Sequence, residues 1–172
     1  MFAMIAADDM SEDDWRLWRT FSTMNRQLGR ELDRQLQRDA GISSADYSVL
    51  IMLFEAPKRR LRTGELAELL AWEKSRVSHQ IARMEARHLV ERTECSEDGR
   101  GTWVALTADG RRATLRAMRH HAAKLRELFF DVLDGDQRAA IGGAAERVLE
   151  RINPPACELA DRLDRQKESD VA

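Results

Sequence analysis

The chain has 172 residues, enough for one domain or at most two. Its 28 basic and 30 acidic residues nearly balance, which excludes a uniformly basic, histone-like nucleic-acid protein but leaves room for a local basic patch. Two cysteines, Cys95 and Cys157, are too few for a disulfide scaffold and fit a reducing compartment.

The opening stretch MFAMIAADDM lacks a basic leader region, and its apolar run is too short for a signal peptide or a membrane span. A cytoplasmic protein with no membrane partner is expected, and these first residues are given no structural role. Residues 12–38 then predict a long helix. Trp15, Trp18, Phe21, Leu28, Leu32 and Leu36 recur at threes and fours, and Gly41 supplies a C-terminal cap. A second helix starts at Ser43 or Ser44, where Ser43 and Asp46 have the spacing of a capping box. Its body, YSVLIMLFEA, is apolar nearly all round and so predicts burial; Pro57 marks its end.

Thr63 is the expected cap of a short third helix, GELAELL. The turn AWE follows, and then the basic run EKSRVSHQIARMEARHLVER. Two short helices joined by a tight turn make a helix-turn-helix. ERTEC and TWVAL read as strands on either side of the turn SEDGRG, which makes a hairpin. A hairpin directly after a helix-turn-helix is the layout of a winged helix. Thr107 caps a further long helix through about Leu133, with Leu115, Met118, Ala122, Leu125, Phe129 and Val132 on one stripe. Asp134-Gly135 breaks it. A helix over 136–152 carries Ile141, Ala145, Val148 and Ile152, and Asn153-Pro154-Pro155 stops it. A short terminal helix over roughly 156–166 remains.

The expected fold is mainly α: an N-terminal dimerisation helix over 11–40, a winged helix-turn-helix domain over 41–106, and C-terminal dimerisation helices over 107–168. One winged domain cannot cover both terminal stripes, and two chains that bury them against each other are the simplest solution.

Placed on a helix at 100° per residue, Val77, Ile81 and Met84 share a core-facing arc of about 60°. Ser75, His79, Ala82 and Ala86 lie opposite, flanked by Arg76, Ser78 and Arg83. Taken alone, a short basic helix is more often a solvated face. Such a face usually alternates Glu and Lys for mutual pairing, whereas Glu85 is the only acid between positions 74 and 90 here. Small residues, hydroxyls and guanidiniums suit the major groove, where alanine permits close approach and arginine forks to guanine. At the hairpin tip, Arg100 is placed to enter a minor groove with Asp98 bracing its guanidinium; alone, the tip is simply a polar Asp-Gly turn.

Residues 65–111, ELAELLAWEKSRVSHQIARMEARHLVERTECSEDGRGTWVALTADGR, resemble the winged helix of the MarR family of bacterial transcriptional regulators, and the resemblance extends over roughly 40–150. The ordered set carries it: Ser-Arg-Val-Ser, Met-Glu-x-x-x-Leu-Val-x-Arg, the Asp98/Arg100 wing, and Leu106, Thr107 and Gly110. The resemblance implies a homodimer on a pseudo-palindromic operator in double-stranded DNA, usually as a repressor. It places Lys74, Ser75, Arg76, Ser78, His79 and Arg83 at the DNA, with Arg100 at the minor groove. Two recognition helices would then sit about one helical turn, ~34 Å, apart. It also implies release by a small aromatic or phenolic effector held between the dimer helices and the winged domain. Trp18 and Tyr47 are the candidate pocket walls, although packing is the default role for aromatics at helical spacing. Oxidation sensing through a cysteine near the N-terminal helix does not match this chain, because neither cysteine lies there.

No cofactor, metal or catalytic set is expected. His120 and His121 point some 100° apart on a helix, no three-ligand zinc set forms, and no Gly-rich phosphate loop or nucleophile–base pair is present. The alternative function is a winged-helix interaction or scaffold module without DNA. The Ser-, Arg- and Ala-lined face argues against it, since protein interfaces favour aromatic anchors.

Overall fold

The computed structural model describes residues 10–94 and 102–152. Among the described residues there are six α-helices and three strands: α1 (Glu12–Ala40), α2 (Ser44–Glu55), β1 (Arg60–Arg62), α3 (Thr63–Leu70), α4 (Lys74–Glu85), β2 (Val90–Glu94), β3 (Thr102–Leu106), α5 (Ala108–Leu125) and α6 (Gly135–Ile152). The architecture is mainly α with one small sheet, a winged helix-turn-helix flanked by long helices. The hairpin tip with Cys95, Asp98 and Arg100 lies outside the described residues. So do Cys157 and the terminal helix expected over 156–166.

Local chemistry sets the helix ends. At α1 the Ser11 hydroxyl accepts from the Asp14 backbone N–H at 3.1 Å, and the Asp14 carboxylate accepts from the Ser11 N–H at 3.0 Å. Gly41 ends that helix at φ +64°, a conformation that glycine adopts without steric cost. The expected Ser43–Asp46 capping box is present on α2. The Asp33 carboxylate accepts from both the backbone N–H and the hydroxyl of Ser44, at 2.8 and 2.7 Å, and so fixes the corner between α1 and α2.

The cap of α3 differs from expectation. Arg62 occupies the cap position, and the Glu65 carboxylate accepts its backbone N–H at 2.7 Å. Thr63 instead donates its hydroxyl to the Thr102 carbonyl at 3.3 Å, which ties α3 to β3. β1 is also new. It pairs antiparallel with β3, placing Leu61 opposite Val104, and the strand order is β1–β3–β2. Leu61 is buried while its two flanking arginines bracket the Trp103 ring, with guanidinium carbons 4.5 and 5.2 Å from its centroid.

The core gathers Leu36, Ile42, Val49, Leu50, Leu53, Leu66, Val77, Ile81, Met84, Val90 and Val104 around α2. As expected, α2 is buried through Val49, Leu50 and Leu53. The start of α5 locks onto the chain after α4. The Thr107 hydroxyl accepts from the Gly110 N–H at 2.9 Å and donates to the His88 carbonyl at 2.6 Å. Gly110 lies so close to this chain that a Cβ would stand 1.8 Å from the Leu89 carbonyl oxygen.

α5 differs from the sequence reading in the face it buries. It packs on α1 and α2, and its buried residues are Gly110, Ala113, Thr114 and Ala117, with Gly110 set against Leu89. Of the expected stripe, Leu115, Ala122 and Val132 are exposed and Met118, Leu125 and Phe129 are half-buried, so the small residues take the fully buried positions. The helix also ends sooner than expected, at Leu125, in a single π-turn over Arg126–Phe130. Asp134 caps the next helix rather than merely breaking the last: its carboxylate accepts from the Gln137 N–H at 2.8 Å. Along α1 only the C-terminal end of the expected stripe is buried, at Leu36; Trp15, Trp18 and Phe21 are exposed.

Candidate nucleic-acid interface

α4 divides as its periodicity predicts. Val77, Ile81 and Met84 are fully buried, and Lys74, Ser75, Arg76, Ser78, His79, Ala82, Arg83 and Ala86 are exposed. Six of the expected DNA-facing residues therefore share one solvent-facing surface. No described side chain caps the helix, and its first turn carries no acidic residue. The backbone N–H groups at its start thus remain open to an anionic partner, unlike those of α1, α2 and α5.

Two of the arginines are held in place. The Arg76 guanidinium carbon lies 4.0 Å from the centroid of the Trp72 ring, a cation–π stack that joins the turn of the motif to α4. Arg83 donates to the side-chain oxygen of Gln80. Arg92, on β2, donates to the Ser78 carbonyl at 3.0 Å and pairs with Glu85 at 3.7 Å, so the wing strand braces the helix. A groove of about 600 Å³ runs beside Ser78, between the start of α3 and the base of the wing; Arg62, Thr63, Arg92 and Thr102 line it with Glu65 and Glu68.

Behind the exposed face lies a polar group that sequence reasoning missed. Gln80 is 3% exposed and donates to Asp46 Oδ1 at 2.7 Å. Asp46, also buried, accepts at Oδ2 from Arg87 at 2.8 Å and from the Ser43 backbone at 2.9 Å. Arg87 continues to the Gly41 carbonyl at 2.8 Å. Burial pushes the Asp46 carboxyl up, but the Ser43 backbone bond and Arg87 together outweigh it and hold its pKa below the ordinary value. A sequence signal existed for Gln80. At helical spacing it falls on the same inner arc as Val77, Ile81 and Met84, where a polar residue needs a buried partner.

The two expected pocket walls occupy different settings. Trp18 is exposed on α1, with its ring 6.3 Å from that of Phe21. Tyr47 is half-buried on α2, 4.5 Å from the ring of His121. Burial, followed by the charge of Glu55, raises the Tyr47 pKa, and burial lowers that of His121. The His121 Nδ1 lies 3.3 Å from the Gln35 side-chain oxygen, so α1, α2 and α5 meet at this cluster. Among the described residues, no group of three or more His, Cys, Asp or Glu side chains is arranged to hold a metal. No helix among them is long and apolar enough to cross a membrane.

A family model described as MarR family matches residues 40–101. Sco3205, a MarR family transcriptional regulator from Streptomyces coelicolor solved in complex with DNA, is 36% identical with a TM-score of 0.82, over 85% of this chain and 95% of that one. AbsC, another MarR family transcriptional regulator from Streptomyces coelicolor, is 34% identical with a TM-score of 0.80, over 83% of this chain and 96% of that one. The organohalide-sensing regulator RdhR-CbdbA1625, solved with 2,4-dichlorophenol, shares the fold at 15% identity and a TM-score of 0.71, over 90% of this chain and 89% of that one. No curated protein matches in sequence. The ordered winged helix, the exposed basic face of α4 and the likeness to Sco3205 over nearly all of that regulator's length lead to one conclusion: the chain belongs to the MarR family of transcriptional regulators.

Proposed function

We propose that the protein is a homodimeric repressor that binds a pseudo-palindromic operator and is released from it by a small aromatic or phenolic ligand. The observation that carries DNA binding is the division of α4: three fully buried apolar residues behind a face of Ser75, Arg76, Ser78, His79 and Arg83. Arg76 and Arg83 are the base readers in this assignment, because a guanidinium forks to guanine. Lys74, Ser75, Ser78 and His79 contact phosphates or base edges, and Arg100, braced by Asp98, enters the flanking minor groove.

The dimer is supported by apolar surface that the single chain leaves uncovered. Trp15, Trp18 and Phe21 on α1, and Ile141, Val148, Leu149 and Ile152 on α6, are all exposed. A second copy related by two-fold symmetry covers both sets with one interface and presents two reading helices to a two-fold operator. The effector assignment, with Trp18 and Tyr47 as walls, rests on Tyr47 and His121 meeting where the outer helices join the winged domain. The phenolic ligand of RdhR-CbdbA1625 supplies the chemical class to try first.

The test is titration of the full chain against the DNA upstream of its own gene at rising salt. If six or more phosphates are neutralised, affinity falls by roughly a thousandfold or more between 50 and 200 mM salt. Absence of any salt-dependent binding overturns the reading. A thermal-shift screen with aromatic acids then tests the effector, since a ligand of the native dimer raises its stability.

A further inference from the structure

The polar relay behind α4 has a direction. A carboxylate only accepts hydrogen bonds, so Asp46 Oδ1 can face only the amide nitrogen of Gln80. That fixes the amide flip and turns the Gln80 oxygen toward Arg83, whose guanidinium donates to it. Asp46 is itself immobilised. It takes the Ser43 N–H and hydroxyl at the start of α2, both at 2.9 Å, and Arg87 at 2.8 Å. Gln80 is 3% exposed, whereas Arg83 stands on the solvent face. A buried chain of defined polarity thus runs from Arg87 through Asp46 and Gln80 to the Arg83 guanidinium at the surface.

We propose that Gln80 is a positioning residue for base recognition: anchored by Asp46, its amide oxygen holds the Arg83 guanidinium in the orientation that reads the operator. This rests on the DNA-binding function proposed above. Arginine has many rotamers, and ordering it on DNA costs affinity. An arginine held before binding loses less, and a fork fixed in direction discriminates better between bases. Among the described residues, Lys74, Ser75 and His79 share the face without such a tether, and Arg76 is held by the Trp72 ring instead.

The experiment measures affinity for the operator and for every single-base variant of it. It uses the full-length protein, Gln80→Met, Arg83→Ala and the double variant. Gln80→Met keeps side-chain length while removing the oxygen that Arg83 uses. Expected is a roughly two- to tenfold loss of operator affinity in Gln80→Met. Preference should relax at the same base pair that Arg83→Ala relaxes, and no further loss should follow when Gln80→Met is added to Arg83→Ala. Gln80→Glu, which keeps an acceptor toward Arg83, retains the base preference even where its stability falls. Losses that add in the double variant, or equal relaxation in Gln80→Glu and Gln80→Met, overturn the positioning role while leaving DNA binding intact. Failure of the unsubstituted protein to bind any DNA removes both proposals together, so the two failures are told apart by the first lane of the assay.

Discussion

The winged centre and the outer helices draw on the same apolar residue types and use them oppositely. Leu50 and Leu53 in α2 are 0% exposed, whereas Leu149 and Ile152 in α6 are 53% and 72% exposed. The centre closes its own core within one chain. Among the described residues, much of the apolar face of α6 and of the start of α1 stays uncovered. Hydrophobic pattern alone therefore says that a face is to be covered, not what covers it.

The sharpest way to break the centre is Gly110→Ala. The added methyl would sit 1.8 Å from the Leu89 carbonyl oxygen, and backbone cannot yield as a side-chain tip can. A loss of about 3 kcal/mol or more is expected, read as a lower urea midpoint with an unchanged slope. The outer helices should respond differently. Val148→Glu, on exposed α6, should leave the secondary structure in place and shift the proposed dimer to monomer in sedimentation. It also removes the dependence of the unfolding midpoint on protein concentration, and operator affinity falls more than affinity for a half-site.

The smallest effect sharpens the boundary between the two regions, where α1, α2 and α5 meet at His121. Burial lowers the His121 pKa in the fold. In the unfolded chain the ring takes a proton near pH 6.5, while in the fold it resists until lower pH. The unfolded state therefore binds more protons in that window. Stability is complete above about pH 6.5 and is lost as pH falls toward the lowered folded value. His121→Phe should flatten this part of the curve in thermal unfolding between pH 7 and 5. The Asp46 carboxyl, also held low, should still give its loss in more acidic solution, below the ordinary carboxylate value of about 3.9.

What could be read from the sequence was what repeats or punctuates. Val77, Ile81 and Met84 carry the helical period, and Ser43, Asp46, Gly41 and Thr107 carry cap chemistry, so these elements were legible. β1 was hidden because three residues with one leucine between two arginines show no period, and its strand character comes from pairing with β3. The face of α5 was misjudged because pattern reading weighs large side chains. Packing on α1 and α2 selects Ala113, Thr114 and Ala117, which let the axes approach. Gln80 was hidden by the habit of assigning polar residues to solvent, although its partner Asp46 lies 34 positions away. That Lys74, Ser75, Arg76, Ser78, His79 and Arg83 are exposed was legible together with their helix; the tethers on Arg76 and Arg83 depend on contacts that sequence spacing does not encode.

The open start of α4 carries a last consequence, in time rather than in space. Its rear is pinned by Gln80 and by the fully buried Met84, while its first turn has no described cap. Amide protons should exchange fastest at Lys74 to Arg76 and slow steadily toward Met84. On DNA, phosphate oxygens would supply the missing acceptors and even out that gradient. On the DNA-binding function proposed above, the first turn of α4 would gain its last stability at the moment of recognition rather than on folding.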